Sequence, residues 1–298
     1  MTLSNTTSIK QGWKAKLDLG FTQQSAKTVL SSRSQSGPLT VQRPFYPEGD
    51  VCHLYLLHPP GGVVGGDELH INITLSDQAN ALLTTPGATK FYRSADLESD
   101  GSLAHQVQTL KVGDQCSLEW FPQENIFFDE AHTHLSTRIE LEKTAHFIGW
   151  EINCYGRPAS NDPFKKGIVK TRLELYRDAK PIILDGLLVN DSEALQSATS
   201  LNGYPCFGTL MATDVSQDLL DKVRELLAKN EISSDYSDDA DNNTNCVQIG
   251  ITRIDDILIA RCLGQYSEQI STTLKQIWSI LRPDVLKREA CHPRIWST

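Results

Sequence analysis

The chain has 298 residues, long enough to bury a sizeable core. Its 37 Asp and Glu against 28 Lys and Arg give a formal net charge of −9, without the basic clusters that bind a phosphate backbone, so nucleic acid is not an expected partner. "MTLSNTTSIKQGWKAK" lacks an apolar signal core and no later segment nears the ~20 apolar residues of a membrane span. The sequence predicts a soluble cytoplasmic protein with no membrane partner.

In chain order, the dominant signal is period two. "WKAKLDL" puts Trp13, Ala15, Leu17 and Leu19 on one side. "LHINITL" sets Leu69, Ile71, Ile73 and Leu75 opposite His70, Asn72 and Thr74. "ALLTTP", "QVQTLKV", "CSLEWF", "STRIELE", "HFIGWEI", "KTRLELY", "KPIILDGLLV", "CVQIGITRI" and "ILIARCL" read as further short strands between Gly, Pro and Asp turns. Helical spacing enters late. "VSQDLLDKVRELLAK" carries Leu219, Val223, Leu226 and Leu227 on one stripe with Ser216 as N-cap, predicting a helix over 216–229. "SEQISTTLKQIWSILRPDVL" carries Ile270, Leu274, Ile277, Trp278 and Leu281, predicting a second over 267–282 that Pro283 ends or kinks. Between them, 231–245 is polar and acidic and reads as a solvated loop. There is no fixed-period repeat and no linker-like stretch, so one domain over 1–298 is expected, strand-dominated, with two helices toward the C-terminus.

Seven scattered cysteines (52, 116, 154, 206, 246, 262 and 291) form no C-x-x-C pair, which argues against a disulfide framework or structural zinc site and for small buried thiols in a reducing compartment. The stretch "CHLYLLHPPGGVVGGD" is not a phosphate cradle, because an alternating strand, not a helix, follows its glycines. Cys52, His53, His58 and Asp67 all have lone pairs suited to a borderline cation. On one continuous strand, however, His53 and His58 face opposite sides and share an ion only across a bend. The alternative is that His53 is hydrogen-bonded within the sheet and His58 packs at the turn.

In "FFDEAHTHLS", Glu130, His132 and His134 share one face of an extended segment, a workable bidentate arrangement that also arises by chance on solvated strands. Glu119, Glu124 and Glu151 flank aromatic residues, as turn formers or as partly buried carboxylates of raised pKa. No nucleophile elbow or H-E-x-x-H motif occurs, so no catalytic residues are assigned. A strand-rich metal-dependent enzyme stays as the alternative.

Four stretches carry a resemblance: "RPFYPEGDVCHLYLLHPPGGVVGGD" (43–67), "LLTTPGATKFYRS" (82–94), "LEWFPQENIFFDEA" (118–131) and the terminal "CHPRIWST". Together they resemble the urease accessory protein D family, UreD or UreH, from the first strand to the last residues. The acidic loop 231–245 and the pair His132 and His134 depart from the family pattern. The resemblance implies a mainly β, atypical β-helix-like stack of short strands with a helical pair. It implies a non-enzymatic nickel-insertion chaperone that binds urease apoprotein and works with the F and G accessory proteins. No tightly bound cofactor is implied, only nickel in transit through an internal tunnel. On that reading Asp67 and Glu151, with His53 and His58, line or border a polar passage, unless each acid is held by an Arg such as Arg93 or Arg157. Trp278, Arg294 and Trp296 are the expected partner-facing residues, since Trp and Arg are common interface anchors. Packing of Trp296 onto the protein's own core is the alternative.

Overall fold

The computed structural model describes residues 12–94, 103–234 and 247–297. Two sheets face each other. The first contains β1 (Lys14–Gln24), β2 (Lys27–Ser36), β5 (Glu68–Ser76), β8 (Ala104–Val112), β11 (His132–Leu141), β14 (Lys166–Arg177) and β15 (Lys180–Asp191), in the order β15-β14-β11-β8-β5-β1-β2. The second is built on β3 (Thr40–Val41), β4 (Cys52–Leu57), β6 (Asn80–Thr84), β9 (Ser117–Phe121), β12 (His146–Arg157), β16 (Cys206–Ala212), β17 (Gln248–Ile254) and β18 (Ile257–Gly264), in the order β17-β18-β16-β12-β9-β6-β4-β3. The short strands β7 (Thr89–Phe91), β10 (Asn125–Phe127) and β13 (Asp162–Pro163) pair beside this path.

From β4 to β14 the chain passes repeatedly between the sheets: β5 to β6, β8 to β9, β11 to β12. Successive strands of each sheet stack in parallel register, with Leu69 level with Gln106, and Ala81 with Leu118. The result is the β-helix-like stack, produced without any sequence repeat. Alternation along β5 and β8 buries Leu69, Ile71, Ile73, Leu110 and Val112 toward the second sheet and leaves polar residues outside. Antiparallel hairpins close the first sheet. Asp178 (φ 49°) and Ala179 (φ 61°) form the two-residue left-handed link between β14 and β15.

The helices α2 (Gln217–Ser234) and α3 (Ser267–Leu286) cover the outer face of the second sheet, so β9 and most of β12 are buried on both faces. Ser216 caps α2 as predicted, its Oγ accepting the Leu219 N–H at 3.2 Å. All five stripe residues of α3 are buried. Two boundaries differ from expectation, and one short helix is additional. Helix α2 continues to Ser234, so residues 231–234 are helical rather than loop, and 235–245 of the expected acidic loop lie outside the described residues. Helix α3 runs through Pro283 to Leu286 despite the missing N–H, because buried Leu281, Arg282 and Val285 hold its last turn against the sheet. A short helix α1 (Ser192–Gln196) also forms within the strand-rich part, capped by Asp191 Oδ1 accepting the Ala194 N–H at 2.7 Å.

Candidate functional site

Between the sheets lies a cavity of about 210 Å³. Its mouth is formed by His58, Gly61 and Gly62 after β4 and by Thr85 to Lys90, which run from the end of β6 into β7. Its lining is mostly apolar but carries several buried polar side chains. Gln106 and Gln108 reach in from β8, Asn125 from β10 and Glu151 from β12, against walls of Leu69, Ile71 and Trp120. Alternation on β12 places Glu151, Asn153 and Tyr155 in one inward row.

Glu151 is buried, yet among the described residues no cationic side chain contacts it. Its Oε2 accepts the Thr137 hydroxyl at 2.9 Å and its Oε1 accepts the Asn153 amide at 2.9 Å, while Asn153 accepts from Asn125 at 3.0 Å. Burial raises the Glu151 carboxyl above its ordinary pKa, the amide and hydroxyl bonds oppose this, and the charge of Asp185 adds to the rise. Beside it, Gln108 Oε1 and the Tyr155 hydroxyl are buried without hydrogen-bond partners. Glu151 also borders two smaller voids. One, of about 10 Å³, reaches Thr137, Phe147 and Met211; the other, of about 20 Å³, reaches Asp185 and Gly186 on β15. Glu151 is thus the one residue that lines all three voids, the first reaching His58 and Gly87 and the third reaching the edge strand β15.

The remaining predicted residues fall into distinct places. His58 is at the mouth, its imidazole made less basic by burial, with the Asp67 charge opposing that effect. Asp67 stands behind it as a turn residue: its carboxylate accepts the Trp13 N–H at 2.8 Å and the Val64 N–H at 2.9 Å. Gly66 just before it adopts φ +87°, and a Cβ on Gly62 would stand 2.1 Å from the Tyr92 ring, so these glycines serve a left-handed turn and a close approach. Of the Arg partners anticipated for the two acids, Arg157 pairs instead with Asp162.

His53 does not line the cavity. Its Nε2 lies 2.6 Å from Glu48 Oε1, on the opposite side of the second sheet. Glu48 also contacts Arg282 of α3 at 2.7 Å, and Arg282 donates to Glu119 Oε1 at 2.9 Å and Oε2 at 3.0 Å and to the Glu289 carbonyl. Glu119 further accepts the Trp278 indole N–H at 2.7 Å. Burial raises the Glu119 carboxyl against the lowering effect of Arg282. This network, with Glu119 and Arg282 buried and Glu48 half-buried, was not foreseen; the sequence signal was Glu119 among aromatic residues. It places Trp278 in the interior, unable to face a partner while α3 is docked. Trp296 rests on Trp150 and Trp278, with ring centres 5.4 Å away in each case, and Arg294 is exposed beside it. Arg288 ties the same segment to Asp50 through two bonds of 2.8 and 2.5 Å. His132 is buried at the start of β11, and His134 lies on the outer face of the first sheet.

Among the described residues, no three His, Cys, Asp or Glu side chains gather into a metal-holding group, and no helix is long and apolar enough to cross a membrane. The interior arrangement offers one carboxylate, several amides and an imidazole at the mouth. Such a lining can hydrate or briefly ligate a cation without caging it.

Over residues 14–297 the chain matches the family described as UreD urease accessory protein. It is 45% identical over 299 residues to the urease accessory protein UreD of Alcanivorax borkumensis, covering 99% of this chain and 96% of that protein. It is 43% identical to the UreD of Aliivibrio fischeri strain MJ11, with 99% of each covered. With the Escherichia coli UreD the identity is 42%, covering 96% of this chain and 98% of that one.

Proposed function

This chain belongs to the UreD urease accessory protein family, and on that premise we propose that it is a non-catalytic maturation factor in the cytoplasm that passes nickel to urease apoprotein. In this reading it binds urease apoprotein and acts with the F and G accessory proteins. Nickel is cargo, not a tightly bound cofactor. The ion enters or leaves at the His58 mouth and crosses between the sheets past Glu151 toward Asp185 and Gly186. Asp67 acts from behind His58, favouring a cation at the mouth through its charge.

The observation that carries this reading is Glu151, a buried carboxylate that has no cation partner among the described residues and lines all three voids. An uncompensated buried carboxylate costs several kcal/mol, and water or a passing cation relieves that cost. Weak neutral ligands around a single charge suit transit, since an ion that must leave cannot be bound in a closed cage. For the F protein we assign the helical layer on the other side of the second sheet, where Arg294 and the edge of Trp296 are presented on a tail held down by Trp278 and Arg288.

The test is co-expression of urease with the F and G proteins and either the wild-type chain or Glu151→Gln. The reading expects the accessory complex in wild-type yield and urease of reduced nickel content. Equal loss of both would make Glu151 a structural residue instead.

A further inference from the structure

Four of the eight histidines lie on the outside of the first sheet or at its rim, away from the interior voids. The sequence pairs His132 with His134, but the fold pairs His134 with a residue 29 positions earlier. In the parallel register of β8 and β11, His134 stands directly opposite His105, with the rings edge-on and their centres 5.8 Å apart. Both side chains are half-buried on the solvent face, and His134 Nε2 is itself buried without a hydrogen-bond partner. A buried ring nitrogen left open in this way calls for a water or an ion.

We propose that His105 and His134 form a second cation site, a two-imidazole chelate on the outer face of the first sheet, for a borderline divalent ion such as nickel(II). Parallel strands about 4.8 Å apart let two imidazoles converge on one ion at about 2.1 Å from each nitrogen, which keeps the ring centres roughly 5 to 6 Å apart. Imidazole is a preferred ligand for nickel, zinc and copper, and the rest of the coordination sphere is water. The neighbouring groups set the electrostatics. Glu68 is level with His105 on β5 and is shared with Lys14 at 3.3 Å, while Lys170 is level with His134 on β14. His70 lies one step along β5 and Arg172 one step along β14. Burial, followed by the charges of Lys170, His105 and Arg172, makes His134 less basic. The same positive charges oppose very tight binding, which suits an ion that is captured and released. Thr133, Leu135 and Thr137 alternate to the inner face, so this site is separated from Glu151 by the sheet itself and stands whether or not the interior carries nickel.

The probe is nickel(II) chloride added to the full-length chain. Paramagnetic broadening in the wild-type protein should begin at the imidazole resonances of His105 and His134; broadening that begins at other histidines overturns the proposal without any variant. In calorimetric titration, His105→Ala and His134→Ala should each weaken this site by on the order of 10²-fold, because the second imidazole binds as an intramolecular ligand. Glu151→Gln should leave it unchanged. Unaltered affinity in the double histidine variant, in a chain with wild-type circular dichroism, or equal loss in Glu151→Gln, would overturn the assignment.

Discussion

Replacing Arg282 by Met removes the one cation shared by Glu119 and Glu48 while keeping most of the apolar stem that fills the space beside Trp278. In the intact protein the Arg282 side chain is fully excluded from solvent and contacts Glu119 at 2.9 and 3.0 Å and Glu48 at 2.7 Å. Breaking such a buried pair from one side costs about 3–5 kcal/mol, chiefly because the surviving carboxylate keeps its desolvation without its partner. Glu119 would retain only the Trp278 N–H. Urea unfolding at pH 7 should therefore show a loss of that size with an unchanged m-value. The loss should also depend on pH in a defined sense. Burial already raises the Glu119 carboxyl, and Arg282 is the largest influence lowering it, so the variant raises it further. A folded-state carboxyl raised above its unfolded value takes up a proton that the unfolded chain has released. The stability of the variant relative to wild type must then improve as pH falls from 7 toward the unfolded carboxylate range. Pairing the change with Glu119→Leu should recover much of the loss. A deficit below about 1 kcal/mol at pH 7, or one that grows as pH falls, would refute the reasoning.

Asp67→Ala should cost about 1–3 kcal/mol, because the Trp13 and Val64 N–H groups lose a charged acceptor, whereas Asp67→Asn keeps an acceptor oxygen and should cost less; urea unfolding of the two variants checks the order. At Glu48, burial raises the carboxyl but the bonds to His53 and Arg282 prevail and hold it below its ordinary value. It therefore contributes stability that is present above the unfolded pKa and is lost as pH falls through the folded one. The stability difference between wild type and Glu48→Gln should accordingly be full near pH 6 and shrink at the acid end of a pH series. Trp296→Ala combined with Arg294→Ala should weaken F-protein binding by roughly tenfold or more in surface plasmon resonance while the sheets stay folded; unchanged affinity would move the F interface off the tail.

Apart from the edge strand β2, the sequence displayed the strands of the first sheet plainly, because each buries only one face and so alternates. It displayed α3 because Ile270, Leu274, Ile277, Trp278 and Leu281 all fall on the buried stripe. Among the strands that the sequence did not show, β2 and β16 were silent for opposite reasons. At the sheet edge, β2 exposes "SSRSQS" and shows no apolar period. In the middle of its sheet, β16 buries nearly every residue of "CFGTLMA" and cannot be told from a helical turn by periodicity. Pro283 pointed to a helix end, and tertiary anchoring by Arg282 and Val285 overrode it.

The candidate site was legible only in part. Glu151 stood out as an acid in an apolar strand, but its partner Thr137 belongs to a different sheet. The links between Arg282 and Glu119, 163 positions apart, and between His105 and His134 are set by strand and helix register, which no local pattern encodes. His53 was singled out for its lone pairs, and its true neighbour, Glu48, lay five residues away in a segment that offered no periodicity to orient it.

The measurement that tests the account most directly is the nickel content of urease matured with Gln108→Phe. Gln108 lines the cavity of about 210 Å³ that Glu151 also lines, its Oε1 has no hydrogen-bond partner, and it is separated from the α3 layer by the second sheet. A Phe there fills the passage without altering charge or the proposed F-protein surface. The account predicts urease recovered with the F and G proteins in wild-type amount but depleted of nickel. Full nickel loading by a folded Gln108→Phe chain would contradict passage of the ion between the sheets.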